Sequence, residues 1–181
     1  MMFVVALMAT MSAMAVPQML TGIDDRRTLG AARYLSTRMQ QARMEALKRS
    51  AEVVLRFAGT APGVAYAAYV DGNDNGVRTR DIERGIDSRL SSDERLPDQF
   101  PGVDFGVLPG LPPVDGGVAP GNDPIKLGAS NLLSFSASGT SSSGSVYIRG
   151  QHAQYVIRVF GETGKTRVLK FIARTNQWKP L

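Results

Sequence analysis

The chain has 181 residues, 43% of them hydrophobic, and carries a net charge of +5 with a pI near 9.8. This length supports one globular domain with a sizeable core, and the basic balance permits contact with anionic partners without demonstrating any. Cysteine is absent, which excludes disulfide scaffolds, thiolate metal sites and cysteine nucleophiles. The single histidine, His152, argues against clustered histidine metal sites.

The first segment, residues 1–22, is uncharged and almost entirely apolar. A bilayer core about 30 Å thick needs roughly 20 apolar helical residues, so this stretch is just long enough to span it. We expect it to be the membrane-spanning half of a long helix. Two alternatives stay open: a signal peptide cleaved after Ala13-Met14-Ala15, which would lack the usual basic n-region, and a buried core helix.

Residues 23–50 continue this segment as an amphipathic helix. Apolar residues recur every three or four positions on one face, namely Leu29, Ala32, Leu35, Met39, Ala42 and Ala46. The opposite face is basic, and Asp24 is a candidate N-cap for this second half. Together the two halves predict a helical rod of roughly 75 Å, part of which must lie outside the globular domain.

The remaining residues, 51–181, predict a β-rich domain of antiparallel strands joined by hairpins. Short runs rich in β-branched and aromatic residues alternate with clusters of Gly, Pro, Ser and Asn. The candidate strands are residues 52–58, 64–71, 87–90, 132–136, 145–149, 153–160 and 167–173.

Two glycine-rich runs resemble catalytic loops but fail on spacing. The run from Gly161 to Thr166 ends like a P-loop, but Val159 occupies the position of the required first glycine, so we interpret it as a hairpin turn. The run from Gly139 to Gly144 is one residue too long for a nucleophile elbow. No spacing pairs His152 with a serine and a carboxylate, so we expect a histidine at the surface or at the end of a strand.

The strongest local chemistry lies in a polar hairpin around Gly76. Alternating oxygen side chains about a glycine turn can wrap a hard cation such as calcium. The candidate ligands are Asp71, Asn73, Asn75 and Asp81. An EF-hand would place a glutamate where Ile82 stands, so a polar hairpin tip without metal is the alternative, and no other cofactor is expected.

Two further segments bear on partners. Residues 97–124 are rich in Pro and Gly and predict a long irregular loop. The C-terminal region combines basic residues with the only tryptophan: Lys165, Arg167, Lys170, Arg174, Trp178 and Lys179. Such a set suits nucleic acid binding, whereas a tryptophan packed on the sheet beside solvated charges is the simpler interpretation.

Several segments taken together resemble one protein family. The apolar run ends in Ala15-Val16-Pro17, like the tips of type IV pilins and pseudopilins, and residues 40–49 closely resemble the helix end of H-type pseudopilins (GspH) and FimT-like minor pilins. Residues 69–76, 135–139 and 163–168 resemble later elements of that family. The order of these matches carries the resemblance more than any one of them.

The resemblance implies an α+β, pilin-like fold, in which a long N-terminal helix packs on an antiparallel β-sheet or β-sandwich domain. It also implies a non-enzymatic type II secretion pseudopilin that crosses the bacterial inner membrane once and keeps its C-terminal domain in the periplasm. Its partners would be other pseudopilins, inner-membrane lipid and proteins of the secretion platform. The alternatives are a minor type IV pilin, with a DNA-contacting C-terminus, and a secreted calcium-stabilised binding domain with a cleaved signal peptide.

One family feature is missing from the sequence. Counting back from Pro17 places Met1 just after the position where the family has a glutamate near the helix tip, so the processing site and that glutamate are absent from this sequence. We expect a longer native chain whose upstream part carries a basic leader and the sites of processing and methylation. Mass spectrometry of the native N-terminus tests this expectation.

Overall fold

A long helix precedes two antiparallel β-sheets in the computed structural model. The model describes residues 2–59, 63–116 and 118–181, and for residues 2–20 it describes the helical backbone only. The helices are α1 (Met2–Arg49), α2 (Thr79–Glu83) and α3 (Leu96–Gln99). The strands are β1 (Val53–Gly59), β2 (Val64–Val70), β3 (Ser88–Arg89), β4 (Asp104–Phe105), β5 (Ile125–Lys126), β6 (Leu132–Phe135), β7 (Gly144–Arg149), β8 (Gln154–Phe160), β9 (Lys165–Ile172) and β10 (Gln177–Pro180).

The second half of α1 packs on the sheets through the predicted apolar face. Leu35 and Met39 are fully buried, and each contributes roughly 1.5–3 kcal/mol through the apolar surface removed from water. The small residues on this face, Ala31, Ala32, Ala42 and Ala46, are also buried and let the helix backbone approach the strands closely. The predicted amphipathic helix is therefore confirmed, with Leu29 partly buried at its edge.

The first half of α1 carries the expected membrane-spanning segment, residues 1–22. Almost all of that segment lies outside the residues whose side chains are described. At its end, Thr21, Gly22 and Ile23 are exposed. Within the described part of the chain, no helix combines the length and apolarity needed to cross a bilayer.

The first sheet, sheet A, has the strand order β3-β2-β1-β6, and all of its pairs are antiparallel. Its central pair joins β1 to β2 with Val53 opposite Val70 and Gly59 opposite Val64. The second sheet, sheet B, has the order β10-β9-β8-β7-β4, and β5 pairs with the same edge of β7. The α+β fold predicted from the sequence is confirmed.

The main core lies between the two sheets and under α1. Strand alternation sends Val146 and Ile148 of β7 into this core, while Tyr147 between them points to the opposite face of sheet B. Buried apolar residues of β1 and β6, such as Leu55 and Leu133, complete it from sheet A. The helix thus closes a β-sandwich-like core instead of lying on a single sheet.

The seven predicted strands are present, with ends shifted by one or two residues. Three short strands, β4, β5 and β10, and the short helices α2 and α3 escaped prediction. The segment predicted as an irregular loop, residues 97–124, includes β4 and the end of α3. Strands of two residues, such as β4 and β5, hold too few side chains for alternation to show, whereas β3 is equally short but lies inside a longer predicted run, residues 87–90.

The outer face of sheet B is covered by the Pro- and Gly-rich segment. Leu111 and Val114 of this segment are buried against Tyr147, Val156 and Leu169 in a second apolar cluster. Trp178 packs at its border, where its indole Nε1 donates to the Pro112 carbonyl at 3.0 Å. The segment is therefore a packed cover on the sheet.

A buried amide pins this cover to the sheet. Gln154 is 1% exposed, and its Oε1 accepts a hydrogen bond from the Leu108 backbone N–H at 2.9 Å. Its Nε2 donates to the carbonyls of Gly106, Ile148 and Tyr155 at 3.1–3.2 Å. Since a buried amide is costly unless it is satisfied, this arrangement fixes where the cover attaches.

Candidate assembly surface

The domain is clamped to α1 at Asp24 by three backbone hydrogen bonds. The Asp24 carboxylate accepts from the N–H groups of Gln151, His152 and Ala153 at 2.9, 2.8 and 3.0 Å, all in the turn between β7 and β8. Asp24 was predicted to cap the helix, and that prediction is wrong, because the residue lies inside the continuous α1 and its side chain binds the turn.

Gly150 allows this turn to sit so close to the helix. A Cβ at position 150 would lie 2.3 Å from Thr28 Oγ1 and 2.4 Å from Asp24 Oδ1, distances that real Cβ atoms do not show. Thr28 is fully buried and donates its hydroxyl to the Asp24 carbonyl at 2.7 Å. The close contact therefore depends on a missing side chain at one position of the turn.

The clamp shifts the pKa of Asp24. Partial burial raises the pKa, but the three backbone donors and the nearby His152 lower it by more, so the net pKa lies below the ordinary value of 3.8. The carboxylate is consequently charged across the neutral range, where its hydrogen bonds to the turn are charge-assisted.

Asp25 forms a second attachment beside the first. Its Oδ1 accepts from the Tyr155 hydroxyl at 2.9 Å and pairs with Lys170 Nζ at 2.7 Å. Burial, together with the hydrogen bond and charge of Asp25, raises the pKa of Tyr155. Two consecutive carboxylates thus hold strands β8 and β9 against the same turn of the helix.

Further contacts attach the helix toward its C-terminal end. Ser36 and Thr166 share a hydroxyl hydrogen bond at 2.7 Å, and Gln40 Nε2 donates to the Gly164 carbonyl at 3.2 Å. One turn later, Arg43 Nε donates to the Gly139 carbonyl at 3.0 Å. The helix is therefore held at several levels between Asp24 and Arg43, and the domain cannot rotate about it without breaking them.

The side of α1 that faces sheet A carries a polar network around Glu94. Its carboxylate forms an ion pair with Arg38 at 2.5 Å and accepts from the hydroxyls of Tyr34 at 2.8 Å and Tyr66 at 3.2 Å. Burial and the Glu94 charge raise the pKa of Tyr66. The network ties the loop before α3 to the helix and to β2.

Beside this network a crevice runs between α1 and sheet A. A cavity of about 130 Å³ is lined mainly by apolar side chains, including Ala42, Leu55 and Leu90. On the adjoining helix surface Met44 is 61% exposed, and on the other side of the helix, near Gly139, Leu47 is 38% exposed. Large apolar side chains on an otherwise polar helix face suit contact with another subunit.

In the structure, predicted calcium ligands form hydrogen bonds within their own loop. Asp71 uses both carboxylate oxygens on the backbone N–H groups of Asn73 at 3.0 Å and Gly76 at 2.7 Å. Asp81 is 3% exposed, and its Oδ2 accepts from Asn75 Nδ2 at 3.5 Å. Among the described residues, no group of three or more acidic, histidine or cysteine side chains is arranged to hold a metal ion. Calcium binding stays a prediction, which isothermal titration tests.

The basic C-terminal region is spread over β9, β10 and the turn between them. Trp178 is engaged with Tyr147 and Phe171, at ring distances of 6.0 and 5.4 Å, as well as with the Pro112 carbonyl. Lys170 is paired with Asp25. The tryptophan therefore packs on the sheet, as the simpler interpretation expected.

The sequence did not identify the attachment residues Asp24, Asp25 and Glu94. The one available signal was a pair of consecutive acidic residues in a helix segment that is otherwise basic. In the structure this acidic pair lies where the helix contacts the turn before β8 and strands β8 and β9.

A long helix held along its second half against a two-sheet β domain is the architecture of a pilin-like subunit. The profile of the family described as Type II transport protein GspH matches residues 31–163, which cover α1 from its first buried alanines through the turn before β9. The chain belongs to this GspH family and is thus a type II secretion pseudopilin in general terms. No curated protein and no solved structure matches it.

Proposed function

We propose that this chain is a non-enzymatic pseudopilin subunit that assembles through its N-terminal helix into a short periplasmic pseudopilus used in protein secretion. The observation that carries the proposal is the length of α1 relative to its packed part. The helix runs from Met2 to Arg49, and Asp24 is the first of the attachments to the domain described above. About 33 Å of helix therefore precedes the first attachment.

The composition of that preceding part supports a role in the membrane and in a filament core. Residues 1–22 carry no charge, so a bilayer tolerates them. Small residues are frequent there and allow close approach between helices; they are Ala6, Ala9, Ser12, Ala13 and Ala15. The proposed partners are other pseudopilins along this helix, inner-membrane lipid and the secretion platform, with the domain in the periplasm.

A charged residue in the proposed membrane half tests this function. Arginine at the centre of a spanning helix costs roughly 3 kcal/mol of insertion free energy. In the host bacterium, Ala9→Arg should remove the chain from alkali-washed membranes and stop export of type II substrates. Thr37→Arg, on the exposed face of the domain half, is the matched control and should leave both unchanged. A soluble periplasmic chain beginning at Val16 would overturn the proposal in favour of a cleaved signal peptide.

The DNA-contacting minor pilin is less well supported. Its motivating residue, Trp178, has its indole nitrogen and ring face engaged by the Pro112 carbonyl, Tyr147 and Phe171. Base stacking would require that contact to open. Export of a reporter substrate separates the two functions, because loss of a minor pilin would impair pilus assembly and leave type II export intact.

A further inference from the structure

Four exposed arginines lie at one end of the domain, the end from which α1 continues toward Met2. We define them as the basic collar: Arg26, Arg27, Arg149 and Arg174. We infer that the basic collar binds the anionic headgroups of phospholipids in the membrane surface beneath the domain. The inference rests on the proposed function, because it needs the helix to enter a bilayer.

Strand register places these arginines together. Arg149 ends β7, one residue before the turn that binds Asp24. Tyr155 pairs with Lys170, so the last residues of β9 extend past the start of β8, and Arg174 follows in the turn to β10. Arg26 and Arg27 lie within one helical turn of Asp24. The four side chains therefore surround the position where the helix leaves the domain.

The charges of the basic collar are not neutralised by their neighbours. None of the four arginines forms an ion pair or side-chain hydrogen bond with a described residue. Three carboxylates lie at this end: Asp24 is engaged by the turn, Asp25 by Tyr155 and Lys170, and Asp104, opposite Arg149 across the β4–β7 pair, accepts from the Phe105 backbone N–H. Elsewhere on the described surface, some cations, such as Arg49 and Arg89, have acidic partners, whereas others, such as Arg84 and Lys165, form no ion pair with a described residue. The end that faces the uncharged helix segment thus carries an excess of positive charge, since the four arginines and Lys170 outnumber Asp24, Asp25 and Asp104.

This arrangement suits a lipid surface. Guanidinium groups bind phosphate oxygens in a bidentate manner, and each basic side chain at an anionic membrane surface strengthens association by roughly fivefold. A partner protein would need an acidic face of matching shape, whereas headgroups adapt to four side chains spread around a helix. The exposed Ile23, 43% accessible and just before the collar, fits the boundary between headgroups and acyl chains.

The test uses the full chain in vesicles. Because the protein has no cysteine, Gln151→Cys introduces a single labelling site in the exposed turn beside the collar. A dye at this site is paired with an acceptor on lipid headgroups, in vesicles of phosphatidylcholine alone or with a third of phosphatidylglycerol. We expect energy transfer to rise with phosphatidylglycerol and to fall again at high salt.

Charge-removal variants assign the effect to the collar. The quadruple change Arg26→Gln, Arg27→Gln, Arg149→Gln and Arg174→Gln should abolish the response to phosphatidylglycerol. The matched control removes four cations at the opposite end of the domain, Lys48→Gln, Arg80→Gln, Arg84→Gln and Lys165→Gln, and should keep it. Circular dichroism and thermal melts confirm that both variants are folded.

The outcomes separate the inference from the function on which it rests. A chain that fails to float with phosphatidylcholine vesicles would contradict the membrane anchor itself. A chain that floats with both vesicle types but shows equal energy transfer in each would overturn the headgroup inference alone. A response to added DNA oligonucleotide, with none to phosphatidylglycerol, would overturn it in favour of nucleic acid.

Discussion

The Asp24 clamp predicts a specific loss of stability in Asp24→Asn. The carboxylate receives three N–H donors, two on Oδ2 and one on Oδ1. An amide keeps one acceptor oxygen and places an NH₂ group against the remaining donor. The substitution also removes the charge that strengthens the surviving bonds. With about 1.5–3 kcal/mol for a hydrogen bond to a charged group and about 1 kcal/mol for a neutral one, we expect a cost of about 2 kcal/mol.

The pH dependence gives the same prediction a second readout. The folded pKa of Asp24 is depressed, so the stabilisation is complete above the ordinary carboxyl value of 3.8 and is lost as pH falls through the folded pKa. The difference between wild type and Asp24→Asn should therefore be largest at neutral pH and shrink in acid, below about pH 4.

Thermal unfolding of the detergent-solubilised full chain measures this difference, with Trp178 fluorescence as the signal. A cost of about 2 kcal/mol corresponds to a fall of about 4–8 °C in Tm for a chain of this length. Asp98→Asn removes a carboxylate from an exposed position in α3 and is the matched control, expected to change little. Equal midpoints for wild type and Asp24→Asn at neutral pH, or a difference that persists unchanged in acid, would refute the clamp.

Three further changes probe separate parts of the structure. Gly150→Ala should lower Tm because its Cβ would collide with Thr28 Oγ1. Gly22→Ala, which has open space around it, should instead stabilise the helix by about 1 kcal/mol. Calorimetry of the two variants tests this contrast. Gln154→Leu should lower the free energy of unfolding by about 2–3 kcal/mol, because its buried hydrogen-bond partners would be left unsatisfied. We expect faster hydrogen exchange at the Leu108 amide, which loses its acceptor. Unchanged exchange there would contradict the attachment of the cover through Gln154. Leu111→Ala should lower the free energy of unfolding by about 2–3 kcal/mol and shift the Trp178 emission to the red, because the cover over sheet B would loosen. An unshifted spectrum would show that the cover does not depend on this contact.

Most of the architecture could be predicted from local patterns in the sequence. The buried face of α1 was visible because apolar residues recur at helical spacing from Leu29 to Ala46, and Leu35 and Met39 are fully buried as that spacing requires. Strands β8 and β9 were visible because their side chains alternate. The run from Gly161 to Thr166 was distinguished from a P-loop by its spacing and by the strand pattern that follows it.

The attachments were hidden because they join distant positions. Asp24 binds a turn more than 120 residues away, and its sequence neighbourhood fits an ordinary N-cap equally well. Gln154 misleads in the opposite sense, since a glutamine at the start of a strand predicts an exposed side chain but is buried here. The packing of the cover on sheet B could not be predicted either, because a Pro- and Gly-rich composition indicates irregular backbone and does not indicate what the segment packs on.

The attachments from Asp24 to Arg43 fix the rotational orientation of the domain about the axis of the helix. An α-helix turns by about 100° and rises 1.5 Å for every residue. One residue inserted between Gly22 and Asp24 would therefore swing the domain about a quarter of a turn relative to the uncharged segment, without disturbing a single contact inside it. In an assembly held together by that segment, the number of helix residues between the segment and Asp24 would determine which side each domain presents to its neighbours.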